Sequence, residues 1–331
     1  MQDVARLAGV SHQTVSRVLN NHPNVRPETR DRVRAAIAEM GYRRNSAARA
    51  LVTSRSGTIG VLTHSSALYG PVLTLHSVEQ AARAAGLFVS LASLRSDEDA
   101  VLSGALDHFL DQAVEGIIVI APVPGVAQAA AALASRLPIV LVADSDQPDL
   151  HPVTVDQAYG ARLATDHLLS LGHREVVHVS GLPSWFDAAA RVRGWAQALA
   201  DTGCAVPEPL VGDWTAESGA AIGAELARTD PPTAIFAAND LMALGLIRAL
   251  TDAGLRVPED VSVVGFDDSY GSGFFRPALT TVRQDFVELG RRCVERMLGL
   301  LGGDADDGRT VVRPDLVLRE STAAPRAARR P

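Results

Sequence analysis

Two patterns of apolar residues divide this chain into a short first part and a long second part. Over residues 1–44 the apolar positions recur every three or four residues, which predicts short amphipathic helices. From Thr58 onward, short runs of Val, Ile and Leu alternate with Ala-rich stretches, which predicts buried strands joined by crossover helices. The chain is therefore expected to consist of a small helical headpiece and a larger α/β body.

The first twenty residues predict two short helices separated by a tight turn. Gly9 and Val10 form the turn, and Ser11 stands where an N-cap of the second helix is expected. One face of that helix is apolar, and its polar positions are His12, Gln13, Thr14, Ser16, Arg17 and Asn20. Gln and Arg can form paired hydrogen bonds with adenine and guanine edges. This pattern predicts a helix-turn-helix that binds DNA, and an ordinary amphipathic helix with a solvated face is the alternative.

A third helix is predicted over residues 27–41, with Pro27 in its first turn and Gly41 at its end. The side chains expected to form the core of the three helices are Val4, Leu7, Val15, Val18, Leu19, Val33, Ile37 and Met40. A further helix of about two turns is predicted to begin at Asn45. A helix this short is marginal in water, so we expect it to order only against DNA or another protein surface.

Eight segments of the body have the composition of buried strands. They are TIGVLT (58–63), LFVSLA (87–92), GIIVIA (116–121), PIVLVA (138–143), EVVHVS (175–180), TAIFAA (233–238), VSVVGF (261–266) and LTTVRQ (279–284). Helical stretches separate most of them, as in βαβ units. So many units suit two lobes, each with a doubly wound parallel sheet, better than they suit one sheet.

Charge is distributed unevenly along the chain. Residues 1–56 contain ten Arg and four acidic residues, a net charge of +6, whereas the remaining residues carry −13. A basic headpiece can neutralise phosphates while an acidic body stays away from DNA, so we expect binding that weakens steeply with salt. Neither a secretory signal nor an apolar run of roughly 18 residues is present, and the protein is expected to be cytoplasmic, without a membrane segment.

Motifs that would indicate an enzyme or a metal site are missing from the sequence. There is no Walker loop, G-x-G-x-x-G after a strand, HExxH or G-x-S-x-G, and the nine His have no ligand spacing. Cys204 and Cys293 also lack the paired spacing of a zinc site. We therefore expect no catalytic residues, no metal and no cofactor, and we expect His173, in the LGHRE turn, to be structural. A sugar-binding protein of a transporter would explain the body but not the basic headpiece.

Seven segments, in order, resemble the lactose-repressor family of transcriptional regulators over about residues 1–320. They are DVARLAGVS, TVSRVLN, VRPETRDRVRAAIAEMGYRRNSAARAL, GHREVVHVSG, FAANDLMALG, VPEDVSVVGFDD and LTTVRQD. The resemblance implies a DNA-binding headpiece (1–44), a hinge helix and linker (45–57), an effector-binding core similar to periplasmic sugar-binding proteins (58–320) and a tail (321–331). It implies two lobes in the core, about 58–155 with 285–312 and about 156–284 with 313–320, with the effector between them.

For DNA binding, the resemblance implies that His12, Gln13 and Arg17 meet base edges in the major groove. It implies that Thr14, Ser16 and Asn20 contact DNA phosphates or groups next to them. The hinge helix, which Asn45 would cap, is also expected to contact DNA. Leu51 matches the hinge leucine that inserts between central base pairs from the minor groove. Such a wedge costs unstacking energy, which is offset when the bent DNA contacts more protein surface. A packed linker helix is the alternative for Leu51.

For effector binding, the resemblance places four polar residues in the cleft between the lobes: Arg191, Asn239, Asp267 and Gln284. Their donors and acceptors suit sugar hydroxyls, and each residue lies near a strand end or a helix start, where open α/β sheets bind ligands. Trp214 is expected to stack on a sugar ring, and Tyr69 and Trp185 are further candidate walls. The alternatives are lobe-to-lobe or capping hydrogen bonds for the polar residues and a core position for each Trp.

The sequence departs from the family pattern at three places. Ala143 stands where many sugar-responsive members have a strand-end Asp, and Asp144 follows one residue later. The chain begins without the few residues usually found before the first helix, so the true start is expected upstream. Arg26 replaces the usual Ser before the third helix, which predicts a weaker cap there.

Together these features predict a repressor of genes for the use of a sugar or glycoside. It is expected to bind a pseudo-palindromic operator as a homodimer and to be released by its effector. The tail after Leu318 has no heptad leucines, which predicts dimers and not tetramers. A regulator in which a purine-type corepressor strengthens DNA binding is the alternative, and the sign of the ligand response stays open.

Overall fold

The computed structural model describes residues 1–19, 22–42, 55–64, 68–94, 99–120, 123–145, 147–229, 231–303 and 308–326. The chain divides into two compact units, residues 1–56 and 57–331. The predicted helix beginning at Asn45 lies outside the described residues, as do Asn20 and Leu51.

The first unit contains three helices: α1 (Gln2–Ala8), α2 (His12–Leu19) and α3 (Pro27–Glu39). Gly9 ends α1 in the left-handed conformation, with φ of 63°, which favours glycine. The Ser11 hydroxyl accepts a hydrogen bond from the Thr14 backbone N–H at 3.2 Å and so caps α2, as the sequence predicts. Arg26 precedes α3 and makes no side-chain cap, in line with its departure from the family pattern.

Small side chains form much of the headpiece core. Its buried residues are Val4, Ala5, Ala8, Val15, Val18, Val33 and Ala36, with Leu19 and Ile37 packed at the edge. Leu7 and Met40 were predicted to belong to this core, and that prediction is wrong because they are 49 % and 45 % exposed. Ala5, Ala8 and Ala36 fill the space between the helices at closer range, which leaves the two longer side chains outside.

The first lobe of the second unit has a four-stranded parallel sheet in the order β2-β1-β3-β4. Its strands are β1 (Thr58–His64), β2 (Phe88–Leu94), β3 (Ile117–Ile120) and β4 (Ile139–Leu141). The helices between them are α4 (Tyr69–Ala84), α5 (Asp99–Asp111) and α6 (Pro124–Ala131). Strands β3 and β4 are buried along their whole length, as expected where helices cover both faces of a sheet.

The second lobe has a six-stranded sheet in the order β12-β10-β9-β8-β6-β7. Its strands are β6 (Val177–Ser180), β7 (Leu210–Val211), β8 (Ala234–Ala237), β9 (Ser262–Asp267), β10 (Thr280–Arg283) and the antiparallel β12 (Asp315–Val317). The accompanying helices are α7 (Gln157–Ser170), α8 (Phe186–Asp201), α9 (Ala216–Arg228) and α10 (Asp240–Asp252). Short 3₁₀ helices span Pro148–Leu150 and Ser272–Phe274.

The chain passes between the lobes three times. Strand β5 (Val153–Val155) leads into α7, β10 leads into α11 (Phe286–Gly302), and β11 (Thr310–Val312) leads into β12. Strands β5 and β11 pair in parallel beside these crossings. Helix α11 packs its apolar face on the first lobe, in one cluster with β1, β3 and α4. These crossings place strand ends and helix starts of both lobes on the two sides of one cleft.

All eight predicted strand segments contain a strand of the structure. The sequence pattern missed β5, β7, β11 and β12, which are two or three residues long and, unlike the equally short β4, do not lie within a longer apolar run. None of the helices in the described ranges is long and apolar enough to span a bilayer.

Candidate functional site

The polar face of α2 is accessible. His12, Gln13 and Arg17 are exposed, whereas Thr14 and Ser16 are half-buried. The buried Val15 and Val18 on the opposite face fix the helix against α1 and α3. The Thr14 hydroxyl lies 2.9 Å from that of Ser11, so it shares in the cap of the helix. The three exposed side chains are thus presented together, as an interface with base edges requires.

A cavity lies between the two lobes of the second unit. Its walls include every residue that the sequence proposed for effector binding: Tyr69, Trp185, Arg191, Trp214, Asn239, Asp267 and Gln284. The first lobe adds apolar groups to the wall, among them Leu68, Ile120, Ala143, Phe286 and Leu289. A cleft with a largely apolar lining and a few converging polar groups is typical of a small-molecule site.

Arg191, on α8, is buried and held on three sides. Its Nε donates to the Gln157 side-chain oxygen at 2.9 Å, and its Nη1 donates to the carbonyl of Ala238. Its Nη2 lies 3.9 Å from Asp267, and its guanidinium lies 3.8 Å above the ring of Phe266. The guanidinium is therefore fixed in place before any ligand enters the cavity.

Asp267 ends β9 with φ of 113°, a strained value for a residue other than glycine. Gln284 donates to its carboxylate at 2.7 Å. Burial raises the pKa of Asp267 to about 7; Arg191 opposes this rise in pKa, and the nearby Asp240 adds to it. A ligand that donates hydrogen bonds to this carboxylate would stabilise its charged form.

Gln157 joins these groups into one network. It accepts from Arg191, and its amide donates to the side-chain oxygen of Gln284 at 3.0 Å. Gln284 in turn donates to Asp267. The network spans from α8 through α7 to the end of β10, so both polar atoms of Gln284 already have protein partners. Both partners lie in the second lobe, as Gln284 does, so these bonds hold Gln284 within that lobe and do not join the two lobes.

Asn239 makes a capping contact, the alternative to a ligand contact that the sequence left open. Its side-chain oxygen accepts from the backbone N–H of Met242 at 2.8 Å, which caps α10. Its amide nitrogen donates to the carbonyl of Trp214 at 3.0 Å. Asn239 thus holds the Trp214 loop against the start of α10.

Aromatic rings form one side of the cavity. The rings of Trp185 and Trp214 lie 5.5 Å apart and are tilted by 53°. The indole nitrogen of Trp214 is buried without a hydrogen-bond partner in the described part of the chain. Tyr69 contacts Phe286 edge-on at 5.9 Å, and burial is the largest cause that raises the Tyr69 pKa to about 12. Two indole rings and a neutral phenol suit the apolar face and the hydroxyls of a sugar ring.

Four polar residues of the cavity wall were not proposed from the sequence: Thr74, Thr154, Gln157 and Asp187. Asp187 lies in the first turn of α8, four residues before Arg191, and burial raises its pKa to about 6. That spacing, which places both side chains on one helix face, was a signal available in the sequence. Gln157 opens α7 directly after a strand, but a single Gln at a helix start has no distinctive pattern.

Ala143 lines the cavity, whereas the neighbouring Asp144 does not. Asp144 accepts from Arg193 at 2.8 Å and also pairs with Arg309, outside the cavity. The carboxylate that follows β4 is thus directed away from the ligand space.

His173 lies away from the cavity wall. It bonds to Thr233 at 2.9 Å and to the carbonyl of Ala323 at 3.0 Å, and burial lowers its pKa. These contacts join the start of β6 to the C-terminal segment, which is a structural role. Within the described ranges, no three His, Cys, Asp or Glu side chains are grouped as metal ligands.

Comparison with known proteins gives two family matches. Residues 1–45 match the model described as bacterial regulatory proteins, lacI family, and residues 165–322 match a periplasmic binding protein-like domain. The lactose operon repressor of Escherichia coli (strain K12) is 37 % identical over 327 residues, which cover 98 % of this chain and 91 % of that protein.

Solved structures agree with these matches over nearly the whole chain. A lac repressor dimer bound to operator and the anti-inducer ONPF has a TM-score of 0.88 at 37 % identity, over 97 % of this chain and 98 % of that one. A complex of the transcriptional regulator CelR with cellobiose has a TM-score of 0.71 at 31 % identity, with the same coverage of both chains.

Proposed function

This chain belongs to the lacI family of bacterial regulatory proteins, and on that premise we propose that it represses genes for the use of a sugar or glycoside. It binds a pseudo-palindromic operator as a homodimer in the cytoplasm, and a sugar in the interlobe cavity releases it. The observation that carries the proposal is the cavity itself, whose wall contains all seven side chains chosen from the sequence for effector binding.

The headpiece supports the DNA-binding part of this proposal. Its net charge of +6 favours contact with phosphates, and α2 exposes His12, Gln13 and Arg17 for base edges. The two-fold symmetry of a homodimer matches that of a pseudo-palindromic operator. The similar lac repressor structure is described as a dimer bound to operator.

The cavity supports the choice of a sugar. Trp185 and Trp214 offer aromatic faces, and Arg191 and Asp267 offer a donor and an acceptor of opposite charge. The similar CelR structure holds cellobiose, a sugar. Purine-type ligands would also stack on an indole ring, but the charged groups here suit a ring that carries several hydroxyls.

The position of the cavity suggests how a ligand acts. Groups of the first lobe, such as Tyr69 and Phe286, face groups of the second lobe, such as Arg191 and Trp214, across the ligand space. A ligand that contacts both lobes favours the lobe arrangement in which those contacts are best. It shifts the equilibrium only by its difference in affinity for the two states, typically about 1 to 3 kcal/mol.

The proposal is tested by fluorescence anisotropy of the full-length protein on DNA from upstream of its own and adjacent genes. Tight, salt-sensitive binding that one sugar of a mono- and disaccharide panel releases is the expected result. Asp267→Ala should keep the operator affinity and lose the response to that sugar. A ligand that strengthens operator binding would instead identify a corepressor, and failure to bind any of this DNA would contradict repression of these genes.

A further inference from the structure

We infer that Asp187 determines the specificity of the cavity by accepting hydrogen bonds from adjacent hydroxyl groups of a neutral sugar ring. This inference rests on the proposed function and names the group that selects the effector. It begins from the charged side chains of the cavity wall, which among the described residues are Asp187, Arg191 and Asp267.

Two of these three charged groups are already engaged with the protein. Arg191 donates to Gln157 and to the carbonyl of Ala238, and its third nitrogen faces Asp267. Asp267 also accepts from Gln284 at 2.7 Å. These contacts hold Arg191 and Asp267 in fixed positions. A ligand can therefore bond only to those of their polar atoms that the protein leaves without a partner.

Asp187 differs because no hydrogen bond to its carboxylate is found within the described ranges. It lies on the first turn of α8, two residues after the wall residue Trp185. Burial raises its pKa to about 6, so the group is still mainly ionised at neutral pH. A half-buried, ionised carboxylate without a donor is costly, and a ligand that supplies donors removes that cost.

The other carboxylates near the cavity cannot take this role. Asp144 pairs with Arg193 and Arg309 outside the cavity. Asp240 is 1 % exposed and accepts from the backbone N–H of Ser269 at 2.6 Å and from the hydroxyls of Ser272 and Thr281. The strand-end position between β4 and Asp144 is Ala143, which offers only a methyl group. Of the carboxylates on this wall in the described ranges, Asp187 is therefore the one to which no protein group donates a hydrogen bond.

Charge balance favours neutral donors over a cationic ligand. The Arg191 guanidinium already lowers the pKa of Asp187 against the effect of burial, so part of the negative charge is compensated within the cavity. A carboxylate presents two oxygens in one plane and can accept from two neighbouring hydroxyls. Adjacent Trp185 offers a ring on which the apolar face of the same sugar can stack.

The test compares wild type, Asp187→Asn and the control Glu217→Gln. Asn preserves the shape of the side chain but replaces one acceptor with a donor. Glu217 is the matched control because it is an exposed acid in the first turn of α9, in the same lobe but outside the cavity wall. Sugar affinity is measured by tryptophan fluorescence with the full-length protein, using glucose, galactose, mannose, lactose, cellobiose and their monodeoxy analogues.

We expect Asp187→Asn to weaken the binding of the tightest sugar about 10- to 100-fold and Glu217→Gln to change it less than about 2-fold. Wild type should reject one or two monodeoxy analogues of that sugar, whereas Asp187→Asn should bind those analogues and the parent almost equally. Equal operator affinity of the three proteins shows that they remain folded.

Three results would overturn the inference. Sugar affinity and analogue preference of Asp187→Asn that match wild type would remove Asp187 from recognition while leaving the proposed function intact. Tighter binding of glucosamine than of glucose, lost in Asp187→Asn, would assign a cationic ligand instead of neutral hydroxyls. If wild type binds none of these sugars, the proposed sugar effector is contradicted together with this inference.

Discussion

Asp267 and Asp240 are neighbouring acids that the fold buries at the edge of one sheet. Burial raises the pKa of both, and each is held by donors of the protein: Gln284 for Asp267, and Ser269 and Ser272 for Asp240. Burying two carboxylates lowers the free energy of unfolding relative to a core of apolar side chains in the same place. Sites that bind ligands commonly contain groups with shifted pKa values of this kind.

Asp267→Asn should reveal this cost as a pH dependence. Between the ordinary pKa of 3.8 and the folded value of about 7, the folded protein holds more protons at Asp267 than the unfolded chain. The free energy of unfolding of the wild type therefore falls as pH rises through this range, and the variant lacks this contribution. Thermal unfolding from pH 5 to pH 8 should show the melting temperature of the variant rising relative to wild type.

The control for that measurement is Asp213→Asn. Hydrogen bonds from Thr215 lower the pKa of Asp213 below 3.8, so its titration lies outside pH 5 to 8. Its difference in melting temperature from the wild type should stay constant over this range. A constant difference for Asp267→Asn as well would contradict the raised pKa.

Arg17→Ala tests base recognition by α2. Loss of a paired contact with one base should weaken specific operator binding by about 1 to 3 kcal/mol and relax the preference at one base position. Anisotropy with a set of single-base operator variants measures both effects. Arg6→Ala is the control, because Arg6 is an exposed arginine on α1 that pairs with Asp3. A uniform loss across unrelated DNA would show that Arg17 contacts phosphate only.

At the scale of elements, the end of β6 and the loop before α9 approach unusually closely. Gly181 follows β6, and a Cβ atom there would lie 2.0 Å from a ring carbon of Trp214. Trp214 itself has φ of 74°, and Asn239 holds its carbonyl. The Trp214 ring is therefore placed in the cavity wall by three features together: the glycine at position 181, the strained backbone of Trp214 itself and the hydrogen bond from Asn239.

Gly181→Ala should displace that ring. We expect overpacking to lower the free energy of unfolding by about 1 to 3 kcal/mol and the displaced ring to weaken sugar binding. Urea unfolding and tryptophan fluorescence measure the two effects. In the control Gly104→Ala, an exposed glycine within α5 has no atom within 4 Å of the added Cβ, and the change should stabilise by up to about 1 kcal/mol. Wild-type behaviour of Gly181→Ala would refute the close approach.

At the scale of the whole molecule, two aromatic side chains of the second unit are largely exposed to solvent. Phe274 is 89 % exposed and Tyr270 is 82 % exposed, and both lie at the 3₁₀ helix before β10. Large exposed aromatics in one short segment are typical of a surface that another protein chain covers. The homodimer of the proposed function supplies such a chain.

Phe274→Glu should therefore weaken self-association. A charge placed in an apolar contact leaves the buried partner surface without compensation, so we expect dimers at micromolar wild-type protein and monomers of the variant. Sedimentation velocity distinguishes them, and Val206→Glu, at an exposed valine in another loop, serves as the control. Persistent dimers of Phe274→Glu would exclude this surface, and tetramers of the wild type would contradict the expectation drawn from the tail.

The sequence by itself was sufficient for the element pattern and for the choice of most site residues. Apolar runs and periodicity predicted eight strands and the three headpiece helices, because burial of one face or both imposes a regular pattern on apolar residues. The family resemblance supplied the seven residues that the structure brings to one cavity. Short strands such as β7 and core alanines such as Ala36 carry too weak a signal, which is why the headpiece core was partly mispredicted.

Tertiary structure alone decided which partners each polar group finds. The sequence shows that the Gln157 side chain can donate and accept hydrogen bonds. Only the packing of α7 against α8 brings it to its partners, Arg191 and Gln284. Likewise, the sequence showed Ala143 beside Asp144, and the fold directed one into the cavity and the other to Arg193. Local sequence determines periodicity and capping, whereas hydrogen bonding, burial and pKa depend on groups that are distant in sequence and close only after folding.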